Sequence, residues 1–475
     1  MGGDHFDLVV IGSGPAGEKG AAQAAYHGKR VALVERSPGF GGTAVATGGM
    51  PSKALRETAL YVSGSRKREV YGVSLQLDRD AIFERLQARA TEISTVMSEA
   101  VRANIERHDI EVIRGRARLE PGGAVRVVTD DHGVRVLQAD VVLLATGSHP
   151  LRPSNIPFDG ELVLDSDEIL RLDRPFGSIV VVGAGPVGCE YASTFAAVGI
   201  DVSLVDRAER LLPLLDAEVG ALLHTALERS GIELLLGSGV SSVQRDGAAV
   251  TVELDGGRVL RADRLLFAAG RVGNTAGLGL EDAGVELDAR GRVVVDEHYR
   301  TTADDVFAAG DVIGPPALAS VSMEQARVAM CHAFGIPLKQ AVDQLLPIGI
   351  YTIPEVGGVG MTEAAAGEAG IDFEVGRGWF HDNTRAAVTG DTEGLVKLVC
   401  QRRDGRLLGV HIFGEDAAEL VHQGQAVIRH GGSIEEFIHT TFNVPTRSDA
   451  YKYAAYDALT HIEVRAAFGD VAEAG

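Results

Sequence analysis

Two glycine-rich segments combine residue types at a spacing that binds dinucleotides. In the first, Gly12, Gly14 and Gly17 form the pattern G-x-G-x-x-G after the apolar run LVVI, and Glu35 ends the next apolar run, VALVE. The first glycine permits a tight turn, the second lets the backbone reach a pyrophosphate, and the third allows close packing of helix on strand. The helix N-terminus attracts phosphate, and the carboxylate can accept hydrogen bonds from an adenosine ribose. The segment therefore predicts a dinucleotide site.

The same combination of a G-x-G-x-x-G motif and a later carboxylate occurs again in the middle of the chain. Gly183, Gly185 and Gly188 follow the apolar run IVVV, and Asp206 ends the next run at the same offset as the carboxylate of the first segment. A single pattern of this kind can serve helix packing alone, but here the whole unit is repeated. Internal similarity of this kind predicts two nucleotide sites in two α/β domains.

The end of the second unit leaves the choice of nicotinamide nucleotide open. Asp206 favours NAD(H), because a carboxylate accepts from a free 2′-hydroxyl and repels a 2′-phosphate. Arg207 and Arg210 follow at once, and two guanidinium groups could clamp that phosphate. They could equally be solvated, or paired with Asp206 and Glu209.

Three further apolar runs end in residues that suit a cofactor site. The runs ADVVLLATGSHP, at 139–150, and ADRLLFAAGRVGNT, at 262–275, end in small residues that include Gly270. Each is either a crossing of the chain between domains or merely a strand followed by a turn. The run VFAAGD brings Asp311 to a strand end, where its carboxylate could meet a polyol chain.

Composition limits the protein's partners. The 475 residues suit about three domains, and a formal charge of −21 disfavours nucleic acid and anionic membranes. The three cysteines, Cys189, Cys331 and Cys400, have no metal or disulfide spacing, and the histidines are scattered, so we expect no metal site. The start of the chain lacks a basic leader and no apolar run could span a membrane, so we expect a cytoplasmic protein. The charged segment at residues 79–110 predicts a solvated pair of amphipathic helices.

The motifs together resemble the FAD-dependent pyridine nucleotide-disulfide oxidoreductases, which include glutathione reductase and dihydrolipoamide dehydrogenase. The resemblance covers nearly the whole chain and includes PSKAL, LLATGS, VFAAGD, YTIPEVGGVG and GDTEGLVKLV. It implies an α/β fold with two Rossmann-like domains, one for FAD and one for NAD(P), and a C-terminal α+β dimerisation domain that makes a homodimer. The expected boundaries are 1–150 for the FAD domain, 151–275 for the NAD(P) domain, 276–345 for a central domain completing the FAD site, and 346–475 for dimerisation.

The same resemblance assigns site residues. For FAD it gives Gly12, Gly14, Gly17, Glu35, Thr43, Thr146, Gly147 and Asp311. The second glycine-rich unit and the strand ends add further expected cofactor-binding residues: Gly183, Gly185, Gly188, Asp206, Arg207, Arg210 and Gly270. Lys53 resembles the lysine that lies beneath the flavin ring and pairs with an acidic residue, here Glu190. These two are the expected catalytic residues, since a cation near the flavin stabilises the charge that hydride delivery creates. The alternative is that both are ordinary surface charges.

The chain departs from the family at the groups that carry disulfide chemistry. Family members that reduce disulfides read roughly GGTCxxxGCxPSK, and their sulfurs fall here on Ala44 and Gly49 of GGTAVATGGMPSK. Their C-terminal HPTxxE reads VPTRSD here, with Val444 at the position of the acid/base histidine and Asp449 at that of the glutamate. Positions 44 and 49 cannot supply a thiolate, and position 444 cannot supply an imidazole. These differences predict that no disulfide substrate is reduced.

Among family members, the segment TFNVPT followed by an acidic residue and Ala-Tyr most resembles soluble pyridine nucleotide transhydrogenases. The leading hypothesis is therefore ping-pong hydride transfer from NADPH to FAD and from FAD to NAD at one site. An NAD(P)H:quinone or dye reductase and a catalytically silent FAD-binding protein are the alternatives. The preferred donor, the direction, the use of quinones and any assembly beyond a dimer stay open.

Overall fold

The computed structural model describes residues 4–63, 79–171 and 174–468. The strands in chain order are β1 (His5–Ile11), β2 (Val31–Glu35), β3 (Glu111–Leu119), β4 (Val125–Thr129), β5 (Val134–Leu144), β6 (Ser148–Pro150), β7 (Val163–Asp165), β8 (Ser178–Val182), β9 (Asp201–Asp206), β10 (Glu233–Leu236), β11 (Val240–Asp246), β12 (Ala249–Leu254), β13 (Val259–Ala262), β14 (Arg264–Phe267), β15 (Arg271–Gly273), β16 (Val306–Ala308), β17 (Ile348–Ile350), β18 (Val356–Gly360), β19 (Phe373–Trp379), β20 (Gly394–Gln401) and β21 (Leu407–Gly414). The helices are α1 (Pro15–Tyr26), α2 (Gly42–Ala46), α3 (Gly49–Ser63), α4 (Arg79–Arg107), α5 (Pro186–Ala197), α6 (Ala217–Arg229), α7 (Ala319–Ala333), α8 (Glu363–Glu368), α9 (Thr384–Thr389), α10 (Ala417–Arg429), α11 (Glu435–His439) and α12 (Asp449–Phe468).

The two parallel sheets share the order of four strands, while the fifth strand comes from later in the chain in the first sheet and from earlier in the chain in the second. The order is β3-β2-β1-β5-β16 in the first sheet and β10-β9-β8-β14-β7 in the second. Their central strands are continuous apolar runs because helices or ribbons cover both faces, and all five residues of β2 are buried. Each sheet carries an antiparallel ribbon, β3-β4-β5 or β11-β12-β13. The predicted fold class, with two Rossmann-like α/β units, is confirmed.

The C-terminal part forms an antiparallel sheet in the order β17-β18-β21-β20-β19. Helix α10 packs on β18 and β21, while α12 packs on β19 and β20. Tyr451, Ala454 and Ala458 of α12 are fully buried in this layer. Glycines on β19 make the close approach possible, since a Cβ added to Gly376 would lie 1.9 Å from the carbonyl oxygen of Ala454. The predicted α+β domain is therefore present.

A short ribbon marks the path of the chain between the two parallel sheets. Strand β6 pairs antiparallel with β15, and the backbone N–H of Leu151 donates to the carbonyl oxygen of Gly270 at 3.0 Å. The chain leaves the first sheet after β5, builds the second sheet, and returns beside the point of departure. The C-terminal parts of both runs predicted as possible crossings form this ribbon.

The predicted helix pair at residues 79–110 is wrong, because α4 is a single helix of 29 residues. Its sequence contains neither glycine nor proline, so nothing ends the helix early. It is also less solvated than expected, since Leu86 and Ile105 are buried. Among the described residues, we find no helix with the length and apolarity that a membrane span requires.

Candidate functional site

The first glycine-rich turn is fixed by steric contacts. Gly12 follows β1 with a φ of +102°, and a Cβ at this position would lie 2.5 Å from the carbonyl oxygen of Ala145. A Cβ on Gly17 would lie 1.9 Å from the carbonyl oxygen of Gly12. Both positions therefore require glycine, the first for its positive φ and the second for the packing of α1 on β1.

The N-terminus of α1 has room for a ligand. Gly14 is its N-cap, and the first helical hydrogen bond runs from the N–H of Glu18 to Gly14 O at 2.9 Å, so the preceding N–H groups lack helical partners. A Cβ added to Gly14 would find Gly42 Cα as its nearest neighbour, at 4.0 Å. This open cradle, with unpaired donors at a helix N-terminus, fits the pyrophosphate of FAD.

Glu35 is held rigidly beside that cradle. One carboxylate oxygen accepts from the Ser13 N–H at 2.9 Å and from the Ser13 hydroxyl at 2.6 Å, and the other accepts from the Ser37 N–H at 2.7 Å. The side chain is buried. Because a carboxylate oxygen can accept more than one hydrogen bond, Glu35 can still accept hydrogen bonds from ribose hydroxyls.

Thr43, Thr146 and Gly147 meet at one edge of the first sheet. The Thr43 hydroxyl lies 3.5 Å from Ser148 O, and the Thr146 hydroxyl donates to Asn274 O at 2.8 Å. Gly147 has a φ of +69° in the turn between β5 and β6. The structure thus brings these three predicted FAD residues together.

Asp311 joins this edge through residues that the sequence did not single out. The Ser148 hydroxyl donates to Asp311 Oδ2 at 2.7 Å and accepts from Arg271 Nε at 2.8 Å. The sequence indicates that the motifs ATGS and AAGRVGN lie either at crossings of the chain or at ordinary strand ends, but the pairing of their polar side chains depends on the β6-β15 ribbon.

Lys53 and Glu190 form an ion pair between the two α/β units. Lys53 Nζ lies 2.6 Å from Glu190 Oε2, and Glu190 Oε1 accepts from the Tyr351 N–H at 3.0 Å. The ammonium also lies 5.0 Å from the centre of the Tyr351 ring. About a third of the Lys53 side chain is exposed. The pair is therefore held by contacts from three parts of the chain, and the ammonium stays partly exposed.

The two positions that carry sulfur in disulfide-using relatives are adjacent. Ala44 lies in α2 and Gly49 begins α3, and a Cβ on Gly49 would lie 3.3 Å from Ala44 O and 3.7 Å from Ala44 Cα. The backbone at Ala44 thus still lies close to the backbone at Gly49, although neither residue has a sulfur atom.

All three cysteines are free and buried. Burial raises the pKa of the Cys189 thiol, with help from the nearby charge of Glu190. Burial and Glu374 raise the pKa of Cys400 to about 12. Thiolates at these two positions are strongly disfavoured near neutral pH.

The second glycine-rich turn repeats the first. Gly183 has a φ of +113°, and a Cβ on Gly188 would lie 1.8 Å from Gly183 O. Gly185 is the N-cap of α5, and a Cβ there would have no neighbour within 4 Å. The turn therefore leaves the same open space at a helix N-terminus, which fits a second dinucleotide.

The carboxylate and the arginines at the end of β9 are separate. Asp206 accepts from the Ala184 N–H at 2.5 Å and from the Ala208 N–H at 2.7 Å. Arg207 and Arg210 are exposed, and within the described ranges neither forms an ion pair with Asp206 or Glu209. The alternative in which these charges neutralise one another is not observed.

Gly270 lies just before β15 with a φ of +133°. Its carbonyl oxygen accepts the hydrogen bond from Leu151, and a Cβ on Gly270 would lie 3.6 Å from the Leu151 side chain. Glycine is needed here because the residue must adopt a positive φ where the two crossing segments meet.

The C-terminal segment that carries Val444 lies on the surface of the chain. The Val444 residue is 70% exposed, and Asp449 begins α12. The segment is fastened by Arg447, which is buried and lies 2.6 Å from Asp416 and 3.4 Å from Asp391.

Among the described residues, one group of carboxylates has the spacing of a metal site: Asp216, Glu218 and Glu363. The ammonium of the fully buried Lys397 lies between them, 2.7 Å from Asp216 and 2.9 Å from Glu218, and also bonds Glu363. The ammonium already supplies the positive charge that a metal would bring.

Comparison with known proteins agrees with this geometry. The pyridine nucleotide-disulphide oxidoreductase family matches residues 6–333, and the dimerisation domain of that family matches residues 346–455. The chain is 42% identical over 459 residues to a soluble pyridine nucleotide transhydrogenase of Mycobacterium bovis, covering 96% of this chain and 97% of the relative. It is 38% identical over 464 residues to the protein of the same name from Marinomonas, covering 96% and 99%.

Two solved structures share the fold over nearly their whole length. LpdA from Mycobacterium tuberculosis superposes with a TM-score of 0.88 at 28% identity, covering 96% of this chain and 99% of that one. The HOCl-induced flavoprotein disulfide reductase RclA from Escherichia coli gives a TM-score of 0.86 at 28% identity, covering 95% and 99%.

Proposed function

The chain belongs to the pyridine nucleotide-disulphide oxidoreductase family, whose members use FAD and NAD(P)H, and from this premise we propose that it transfers hydride between NADPH and NAD through FAD without a redox disulfide. The observation that carries the proposal is the pair Ala44 and Gly49, which keeps the close approach of the two sulfur positions but has no sulfur. With Val444 in place of an imidazole, the site lacks both the thiols and the base that disulfide reduction needs.

The proposed acceptor and donor follow from the second nucleotide site and from the relatives. Relatives with 38% and 42% identity are named soluble pyridine nucleotide transhydrogenases. Asp206, fixed by a hydrogen bond from the Ala184 N–H, supports the use of NAD, because its carboxylate would accept from a ribose 2′-hydroxyl. Arg207 and Arg210 are exposed close by and free to bind a 2′-phosphate, which suits NADPH. One site with both features can accept both nucleotides in turn, as ping-pong transfer requires.

Several side chains of this protein would hold and serve FAD. The cradle at Gly14 would bind the pyrophosphate, Glu35 would accept hydrogen bonds from the ribose hydroxyls, and Asp311 would accept from the polyol chain. FAD, when bound, supplies the group that takes hydride from one nucleotide and gives it to the next. Lys53, fixed by Glu190, places a positive charge in the site that stabilises the negative charge formed during this transfer.

We also propose a cytoplasmic homodimer. The matched dimerisation domain supports a second copy of the chain as the partner. Three free, buried thiols are compatible with a reducing compartment.

The test is a steady-state assay of the FAD-loaded protein with NADPH and thio-NAD, run beside NADPH with quinones. We expect transfer to thio-NAD in the absence of any quinone. Turnover with quinones alone would make the protein a quinone reductase, and turnover with neither, despite bound FAD, would make it a binding component.

An anaerobic titration with NADPH tests the absence of sulfur chemistry in the same preparation. We expect the visible flavin absorption to bleach without a long-wavelength thiolate-to-flavin band. A band that disappears on alkylation would show that a remaining cysteine reaches the flavin, and would contradict the proposal.

A further inference from the structure

Ser148 and Arg271 form a directed chain of hydrogen bonds that ends at Asp311. Arg271 Nε donates to the Ser148 hydroxyl oxygen at 2.8 Å, and the same hydroxyl donates to Asp311 Oδ2 at 2.7 Å. A guanidinium group can only donate hydrogen bonds. The Ser148 oxygen must therefore accept from Arg271, which leaves its single hydrogen to point at Asp311.

The arginine is itself held from two sides. Its Nη2 donates to the carbonyl oxygen of Ser148 at 3.0 Å, so two nitrogens of one guanidinium form hydrogen bonds with the same residue. Its Nη1 lies 3.8 Å from Asp167 Oδ1, in the segment after β7 of the second sheet. Three-quarters of the Arg271 side chain is buried, and Ser148 is almost completely buried. This arrangement restricts the rotation of both side chains.

The chain also determines which oxygen of Asp311 faces a ligand. Oδ2 is occupied by Ser148, while Oδ1 accepts no hydrogen bond from the described residues. An aspartate held through one oxygen presents the other in a defined direction, and this lowers the entropy lost when a hydroxyl group binds.

We propose that Arg271 and Ser148 are positioning residues for FAD binding, which orient Asp311 toward the polyol chain of the cofactor. The proposal rests on the proposed function, in which Asp311 is an FAD ligand. It adds that the affinity for FAD depends on an arginine of the ribbon by which the chain returns from the second sheet. FAD affinity thus depends on that ribbon as well as on the glycine-rich turn.

The test measures the dissociation constant of FAD by dilution and ultrafiltration of the loaded protein. The variants are Ser148→Ala, Arg271→Met, the double variant and Asp311→Ala. Loss of one charge-assisted or fixed hydrogen bond corresponds to about a tenfold weakening. We expect about that factor for each single variant, and a double variant no weaker than the worse single one, because both changes break one chain. Arg271→Lys should remain weakened, since an ammonium lacks the two-pronged geometry.

The control is Arg261→Met, which removes an exposed arginine paired with Asp246, and it should leave FAD binding unchanged. Thermal melting of the apoproteins shows which variants fold. If Arg271→Met does not fold, Ser148→Ala alone provides the test. Unchanged FAD affinity in Ser148→Ala and Arg271→Met, together with weakening in Asp311→Ala, would overturn the positioning role alone. Multiplying effects in the double variant would also overturn it. No effect in Asp311→Ala would remove Asp311 as an FAD ligand, and the positioning role with it, while leaving the hydride-transfer proposal to its own assay.

Discussion

Glu35 and Asp206 show how a single carboxylate is placed in each nucleotide site. Each ends the second strand of its unit, and each accepts a hydrogen bond from the N–H of the residue after the first glycine, Ser13 or Ala184. The turn and the carboxylate are thus fixed to each other before any ligand arrives. The difference is the Ser13 hydroxyl, which adds a further bond in the first site and has no counterpart at Ala184.

At this scale, Lys53→Met tests the proposed role of the ammonium. We expect FAD to stay bound and flavin reduction by NADPH to slow about a hundredfold, because losing a preorganised charge beside a developing anion costs on the order of 3 kcal/mol. The measurement is stopped-flow absorbance of the flavin. Lys29→Met, whose ammonium lies over the Phe334 ring elsewhere in the same unit, serves as the control. Reduction of Lys53→Met at the unmodified rate would make Lys53 structural.

A second change at single residues tests the use of NADPH. Replacing both Arg207 and Arg210 with alanine should raise the KM for NADPH about tenfold or more, because charge-assisted bonds to a phosphate are lost. The KM for NADH should stay within about twofold, since Asp206 is untouched. A parallel rise in both constants would instead indicate a general loss of nucleotide binding.

The roles of Ser148 and Arg271 could not have been predicted from the sequence. The two residues are separated by 123 positions, and their contact exists only because β6 and β15 pair. Glycine patterns and strand-end carboxylates are local signals, so Gly12, Glu35 and their counterparts could be predicted from the sequence. Contacts between polar side chains that are distant in the chain cannot be predicted in this way.

Among the elements, α2 and α3 preserve the geometry of a disulfide site without its chemistry. Gly41, with a φ of +94°, caps α2, and the short connection to α3 brings Gly49 against Ala44. Sequence patterns failed for α4, which was predicted as two helices. Periodicity gives the type of an element, whereas its length depends on whether a breaker intervenes.

Restoring sulfur tests whether these elements alone determine the chemistry. Ala44→Cys with Gly49→Cys should not create a disulfide reductase, because no imidazole stands at position 444 to protonate a leaving thiolate. General acid-base help of this kind is commonly worth about 10² to 10⁴ in rate. Only the triple variant with Val444→His should turn over lipoamide or glutathione disulfide, measured as NADH or NADPH oxidation. Strong turnover by the double variant would mean that another acid already serves the site.

At the scale of the whole molecule, a buried charge cluster joins the second α/β unit to the C-terminal sheet. Asp216 caps α6, Lys397 lies on β20, and Arg377 on β19 bonds Glu218 at 2.8 Å. Burial opposes ionisation of Asp216, but the hydrogen bond and charge of Lys397 outweigh it and lower the pKa of the carboxyl. For Glu218, burial is likewise outweighed by Arg377 and Lys397, and its pKa is lowered.

Lys397→Met should destabilise the protein by roughly 3 to 5 kcal/mol, since it leaves the buried carboxylate of Asp216 without its ion-pair partner. The measurement is chemical or thermal unfolding near neutral pH, with Lys339→Met, which removes a partly exposed lysine paired with Glu324, as the control. Because the pKa values of Asp216 and Glu218 are lowered in the folded state, their contribution is present above the ordinary carboxyl range near pH 4 and is lost as pH falls through the folded values. We therefore expect the loss of stability below about pH 4 to be smaller in the variant. Equal acid sensitivity in both proteins would show that the cluster does not control it.

The ribbon of β6 and β15 has a consequence for biosynthesis. The first sheet is completed by β16, which pairs with β5 only after the ribosome has made the whole second unit. The second unit, by contrast, is synthesised without interruption between Leu151 and Gly270, whose backbones bond to each other. A nascent chain therefore holds an unfinished FAD sheet while an enclosed module folds between its parts. The order of maturation is the reverse of the order of translation: the segment begun second is finished first.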